Sequence, residues 1–192
     1  MTEKNEQRQT TVITEPHQKR TVMLAKMGML VAVSIVLVWL IRIPFPLLPF
    51  LEYDPADIPI LVGTFAFGPI GGIVLTVITA LVQGLTVSAA SGPYGIVMHI
   101  IATGTFVLVA GFIYRWKKTR KTALIAVICG ALAMILIMIP ANLLVTPLFM
   151  GMPRAAIYPL LPAIISFNAM KAGINGAITF ILYKPISRFL HK

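Results

Sequence analysis

The chain has 192 residues, of which 58% are hydrophobic and only 11% charged, with a mean hydropathy of +0.90. A soluble domain carries roughly 25% charged residues, so the polar surface here is too small to coat a water-facing body; a disordered chain and an ordinary soluble enzyme are excluded. The net charge is +10, from 16 Lys and Arg against 6 Asp and Glu, with the cations at the edges of apolar runs; that placement points to the headgroups of a lipid bilayer rather than to nucleic acid.

Residues 1–21 are polar and lack apolar periodicity, which predicts a disordered cytoplasmic tail before a membrane domain over 22–192. No Asp, Glu, Lys or Arg occurs from Met27 to Ile41, from Ile58 to Tyr114, or from Thr122 to Pro153. Another long apolar run, Ala155 to Phe189, is interrupted by Lys171, Lys184 and Arg188. A spanning helix needs about 20 apolar residues. Proline and glycine then divide these runs into helices over 22–43, 57–67, 70–89, 94–115, 121–146 and 156–189. The fold class is therefore all-α, a polytopic integral membrane bundle of six helices. The second helix, at about 16 Å, is too short to cross alone.

Basic residues cluster in the tail, in the loop holding Arg115, Lys117, Lys118, Arg120 and Lys121, and at Lys184, Arg188 and Lys192. A six-helix path puts all three clusters on one face, so that face and both termini are predicted to be cytoplasmic in a multi-pass cell-membrane protein. The Pro-rich loop 44–56 lies on the opposite face and is expected to act as a mobile lid. Its end, Asp54-Pro55-Ala56-Asp57, reads as a helix start: Asp54 as N-cap, Pro55 at the first position and Asp57 bonding back.

Polar groups inside the spans carry the functional signal, because an ionisable side chain there costs a few kcal/mol. Lys171 lies 13 residues before Lys184, about 20 Å along a helix, too deep to reach the headgroups. Asn168, Lys171 and Asn175 recur at i, i+3 and i+7 and so share one helix face. Such a stripe should face the bundle interior, either as an interhelical hydrogen-bond cluster or as a ligand contact. The second is favoured because no acceptor for Lys171 is visible elsewhere in the spans. Weaker candidates are Gln83, which shares a face with Thr76 and Thr79; His99, with Thr103; and Asn142, just after Pro140. On the first helix Ala25, Gly28 and Ala32 form a small-residue stripe that permits close helix approach, either to a partner or to the protein's own helices.

Several stretches resemble one family. Pro44-Phe45-Pro46, Leu51-Glu52-Tyr53-Asp54-Pro55-Ala56-Asp57-Ile58-Pro59 and Phe67-Gly68-Pro69-Ile70-Gly71-Gly72 resemble the first loop and helices two and three of the riboflavin-type S components. These are the substrate-binding subunits of energy-coupling factor (ECF) vitamin importers. Leu161 to Gly173, with Phe167-Asn168-x-x-Lys171 as its most specific piece, resembles that family's sixth helix. The resemblance covers 22–190. It implies a vitamin that enters from outside and sits under the first loop, among helices four to six. Asn168 and Lys171 match positions on the flavin's polar edge, and Asn142 matches a further polar contact. Leu51, Glu52 and Tyr53 of the loop, with His99 and Gln83, complete the expected substrate contacts. Implied partners are riboflavin, a transmembrane coupling subunit docked on Ala25, Gly28 and Ala32, and two ATP-binding subunits.

The chemistry of the residues agrees with that. Riboflavin is neutral, flat and apolar with one polar edge, and suits apolar walls with a few placed polar groups. FMN is an alternative ligand, with Arg42 and Arg154 as candidate phosphate partners. The chain has no phosphate-binding Gly-rich loop, so energy for uptake must come from other subunits. The single cysteine, Cys129, and the absence of a Cys/His cluster give no expectation of a metal or of a bound cofactor. An intramembrane enzyme would have to use His99 with Ser88 or Ser91, without an orienting carboxylate in helices three to six. An assembly protein would leave Lys171 unexplained.

Overall fold

The computed structural model describes residues 2–190, with side chains at 18 and 20–186. The tail expected over 1–21 and the cations Arg188 and Lys192 therefore lie largely or wholly outside the residues whose side chains are described. The elements are α1 (Thr2–Leu40), β1 (Ile43–Phe45), β2 (Leu48–Tyr53), α2 (Asp57–Leu85), α3 (Gly92–Trp116), α4 (Arg120–Met150) and α5 (Leu161–Leu190). Short 3-10 turns at Ala89–Ser91 and Arg154–Leu160 precede α3 and α5. Five segments are long and apolar enough to cross a membrane: Arg20–Leu40, Asp57–Leu85, Ala89–Trp116, Arg120–Met150 and Arg154–Ile186.

α2 is not one straight rod. Gly68 sits at φ 86° and ψ 178°, outside the helical region, and Pro69 follows it. Glycine tolerates that φ because it has no Cβ to clash, and proline cannot donate the hydrogen bond that would carry the helix through. The chain doubles back there. A Cβ on Gly72 would lie 2.2 Å from Thr64 Oγ1, and one on Gly63 would lie 2.3 Å from Leu75 Cδ1. Residues 63 and 75 would be about 18 Å apart along a continuous helix, so 57–67 and 69–85 are the two limbs of a hairpin. The short limb is the most enclosed part of the molecule, buried at every position from Asp54 to Ala66.

The two ends of the bundle can be told apart. At one end Arg42, just past α1, donates to the Val87 carbonyl, just past α2. At the other, Phe65 packs on Tyr114 and Tyr183 at centroid distances of 4.5 and 5.5 Å, near the ends of α3 and α5. Between them, helices touch through glycine. Phe106 of α3 is fully buried and lies against Gly130 of α4 and Gly176 of α5. Gly111 of α3 meets the turn of α2, where a Cβ would come within 2.9 Å of Pro69 Cα. Close backbone approach of this kind supplies the packing attraction that lipid leaves as the main adhesive between helices.

The Pro-rich loop differs from a bare lid. Ile43–Phe45 and Leu48–Tyr53 pair antiparallel, with Ile43 opposite Tyr53, Pro44 opposite Glu52, and an irregularity between Pro44 and Phe45. A two-stranded ribbon has only edges, so proline's missing N–H is tolerated on its open side. The hairpin packs on the start of α5: Leu48 joins Ile157 and Ile164 in a small buried cluster, and the Phe45 ring lies tilted against Phe167 at a centroid distance of 5.4 Å.

α1 contributes Met27, Leu30, Ser34 and Val38 to the interior. Ala25, Gly28 and Ala32 are exposed on its other face, and nothing lies within 4 Å of a Cβ built on Gly28. The small-residue stripe thus faces away from the protein's own helices. These contacts predict opposite outcomes for two glycine substitutions. Gly111→Val should destabilise the detergent-solubilised protein by about 1–3 kcal/mol, the usual cost of overpacking. Gly28→Val should leave the thermal midpoint almost unchanged; equal losses would show that the Pro69 contact is not limiting.

Candidate functional site

Lys171, on the inward face of α5, is paired. Its Nζ donates to Asp54 Oδ2 at 2.8 Å and lies 3.9 Å from Asp57 Oδ2. The side chains of Lys171, Asp54 and Asp57 are only 10%, 8% and 0% exposed. The acceptor absent from the spans therefore arrives from the loop, 117 residues away in sequence. The expected capping arrangement does not form. The residue preceding α2 is Ala56, with no side-chain cap. Asp54 does accept from the Ala56 N–H at 3.1 Å, but its other oxygen and all of Asp57 face the bundle.

Asn175, one turn below Lys171, ties the same elements together. Its Nδ2 donates to the Asp54 carbonyl and to Asp57 Oδ2, each at 3.0 Å, and its Oδ1 accepts from the Tyr53 hydroxyl at 2.9 Å. Thr103 of α3 donates to Asp57 Oδ1 at 2.6 Å. One ammonium and three neutral donors, the Ala56 N–H, Asn175 and Thr103, thus satisfy two buried carboxylates, which is what makes their burial tolerable. Burial alone would push the Asp54 carboxyl up; the Lys171 ammonium outweighs it and holds the group below the usual carboxylate range. Burial, reinforced by the Asp54 charge, pushes the Tyr53 phenol up, so it remains a donor.

Above this network a cavity opens toward the hairpin end of the bundle. Its empty space, counted out into the open mouth, is about 1020 Å³. Val38, Ala80, Ala102, Met134, Met138 and Phe167 give apolar walls. Gln83, His99, Asn142, Asn168, Lys171 and Asp54 place polar atoms among them, and Arg42, Phe50, Leu51, Glu52, Ser88, Ser91, Tyr94 and Phe149 also line it. Sparse polar groups on apolar walls are the usual make-up of a site for a flat organic ligand.

The structure brings all the predicted contact residues onto this cavity except Tyr53, whose hydroxyl is turned to Asn175. The polar atoms differ in how free they are. Asn142 Nδ2 donates to the Met138 carbonyl and its Oδ1 accepts from Thr146. Asn168 Nδ2 donates to the Ile164 carbonyl, and among the described residues no donor reaches its Oδ1. His99 Nε2 and Gln83 Oε1 are buried without a protein partner, an arrangement that favours a ligand with its own donors and acceptors. Arg154 is exposed and is not on the cavity wall. Sequence reasoning set Asn175 on the Lys171 face and Thr103 beside His99 without giving either a partner, and it left Asp54 and Asp57 out of the site as capping residues. One signal could have found the two carboxylates. Three of the six acids lie in the first 15 residues, which leaves Glu52, Asp54 and Asp57 as counter-charges for Lys171.

Comparison with known proteins places this architecture. Residues 22–185 match the family model of the ECF transporter substrate-specific component. The chain belongs to this family. Among curated proteins this S component is 28% identical over 177 residues to the riboflavin transporter RibU of Staphylococcus aureus (strain TCH60), covering 88% of this chain and 92% of that one. It is 29% identical over 175 residues to the riboflavin transporter FmnP of Bacillus subtilis (strain 168), covering 84% and 92%. Among solved structures, the S component of a bacterial ECF transporter superposes with a TM-score of 0.79 at 28% identity, over 90% of this chain and 99% of that one. A structure of FolT bound with folic acid superposes at a TM-score of 0.58 and 21% identity, over 84% and 92%; at that identity the likeness is one of fold. The protein is accordingly a multi-pass membrane protein of a transporter family, and its relatives are transport components rather than enzymes.

The buried network in this S component yields two expectations. Lys171→Met leaves Asp54 and Asp57 buried without their cation and should cost about 3–5 kcal/mol of stability. Adding Asp54→Asn to Lys171→Met should recover part of that loss; a double variant no better than the single one would argue that the pair is not the source. The second expectation concerns pH. Because the folded-state pKa of Asp54 is lowered, its contribution is fully present above the ordinary carboxylate value of about 4 and disappears as pH falls through the lowered one. Thermal midpoints of wild type and Asp54→Asn measured from neutral pH downward should converge only below about pH 4.

Proposed function

We propose that this S component captures riboflavin from outside the cell and delivers it inward together with a transmembrane coupling subunit and two ATP-binding subunits. The observation that carries the ligand is the cavity itself. Lys171 and Asn168 place polar groups among apolar walls, in a chain related over most of its length to proteins named riboflavin transporters. The ring's carbonyl edge would take a proton donor from Lys171, whose ammonium has more N–H groups than Asp54 uses. The open Oδ1 of Asn168 would accept from a ring N–H.

The reversal at Gly68 supports six membrane segments, the second one short, and hence termini on one side. The exposed basic residues Arg115, Lys117, Lys118, Arg120 and Lys121 cluster between α3 and α4, which favours that end as cytoplasmic. The hairpin and cavity mouth then face outward. The coupling subunit would dock on the outward stripe Ala25, Gly28 and Ala32, where small side chains allow a second helix to approach closely.

Flavin fluorescence quenching tests the ligand. The purified protein should bind riboflavin, and Asn168→Ala should weaken it by about 1 kcal/mol, roughly fivefold; no flavin binding by wild type would overturn the ligand assignment. Co-purification tests the partner. Gly28→Trp should lose the coupling subunit while the isolated chain still binds flavin. If that variant instead retains its partner, the docking face lies elsewhere.

A further inference from the structure

We propose that the Arg42–Glu52 ion pair at the cavity mouth is a specificity determinant that disfavours phosphorylated flavins relative to neutral riboflavin. The inference rests on the flavin reading above and concerns the opposite end of the same cavity. With the ring edge on Lys171 and Asn168, the ribityl tail points to the mouth. There it meets Arg42, Glu52, Ser88 and Ser91.

The guanidinium at that mouth is already engaged. Arg42 Nε donates to Glu52 Oε2, Nη2 pairs with the same oxygen, and Nη1 donates to the Val87 carbonyl. Each of its three nitrogens thus has a protein acceptor. The pair joins the end of α1, strand β2 and the end of α2, and both side chains are half-buried, 27% and 34% exposed. Among the described residues, no cation other than Arg42 and Lys171 lines the cavity. Lys171 is held on the floor by Asp54, and Arg154 is off the cavity wall.

A sugar hydroxyl fits this mouth, because it can donate to Glu52 and exchange hydrogen bonds with the serines. A phosphate monoester does not. It carries about −1.5 to −2 charge at pH 7 and has only acceptor oxygens to offer a carboxylate. To receive it, Arg42 would have to leave Glu52, stranding a half-buried carboxylate beside a second anion. Discrimination then comes from the repulsive partner as much as from any attractive contact. Removing the Glu52 charge should invert the effect. The Val87 carbonyl still holds one arm of Arg42, and the freed Nε and Nη2 present the planar fork that matches phosphate.

The test is a pair of fluorescence titrations, riboflavin and FMN, on wild type, Glu52→Gln and the double variant Arg42→Gln/Glu52→Gln. Wild type should bind riboflavin more tightly than FMN. Glu52→Gln should shift the FMN-to-riboflavin affinity ratio toward FMN by about tenfold or more, the size of one charge-assisted hydrogen bond. The double variant should lose that shift. Independently of any variant, raising salt should narrow the wild-type gap, since the mouth is partly solvated and its repulsion is screened. Equal wild-type affinities, a salt-independent gap, or a ratio unchanged in Glu52→Gln while riboflavin still binds would each overturn the proposal. A shift that survives in the double variant would overturn the role of Arg42. Failure of wild type to bind either flavin would instead remove the reading beneath it.

Discussion

A lysine ammonium held inside a membrane bundle dictates much of this architecture. An unpaired charge there is costly enough that it would move to the headgroups or be neutralised, and Lys171 can do neither from the middle of α5. Its counter-charges must be brought to it. The chain does this by letting the stretch after β2 descend into the bundle, so that Asp54 and Asp57 arrive at the depth of Lys171, Asn175 and Thr103. The short limb of α2 begins at that depth and runs only to Gly68 before returning. A full-length helix in its place would carry the start of α2 toward the hairpin end and away from Lys171.

The same short limb accounts for the cavity. Because 57–67 occupies only the basic-loop half of the bundle, no helix fills the corresponding volume at the hairpin end. That space is bounded by α1, the returning limb of α2, α3, α4 and α5, and is roofed by β2. Glycine contacts keep the other half dense, with Phe106 locked between Gly130 and Gly176 and Gly111 against the Pro69 turn. A close-packed half and an open half are thus two consequences of one chain reversal.

Charge is distributed along the cavity in a way that suits a neutral ligand. At the floor two carboxylates face one ammonium, with Asn175 and Thr103 completing their hydrogen bonds. At the mouth one guanidinium faces one carboxylate. Among the described residues, the cavity atoms left open to a ligand include His99 Nε2, Gln83 Oε1 and Asn168 Oδ1, all on uncharged or weakly basic side chains. What the site offers a ligand is therefore directional hydrogen bonding between apolar walls, with each of its charged side chains already hydrogen-bonded within the protein.

Several of these features were legible in the sequence. Composition alone required a bilayer, because 11% charged residues cannot solvate a body of this size. The break at Gly68-Pro69 is a local property of two residues, and the structure has its kink there. The i, i+3, i+7 spacing of Asn168, Lys171 and Asn175 fixes a shared face whatever the rest of the chain does, and all three are buried. Tertiary structure decided what that face meets. Asp54-Pro55-Ala56-Asp57 is as good a helix start as it is a pair of counter-ions, and four residues of sequence do not separate the two. Only the reversal at Gly68, which sets the depth of Asp57, selects the second. The Ala25, Gly28, Ala32 stripe could likewise have faced inward, since a small-residue face suits either direction; the larger Met27, Leu30 and Val38 fill the interior instead. Tyr53 ends β2, and its hydroxyl donates to Asn175 of α5 instead of joining Leu51 and Glu52 on the cavity wall, a long-range contact that local spacing does not specify. Local spacing decides which residues travel together, and the long-range pairing of helices decides which charges they reach.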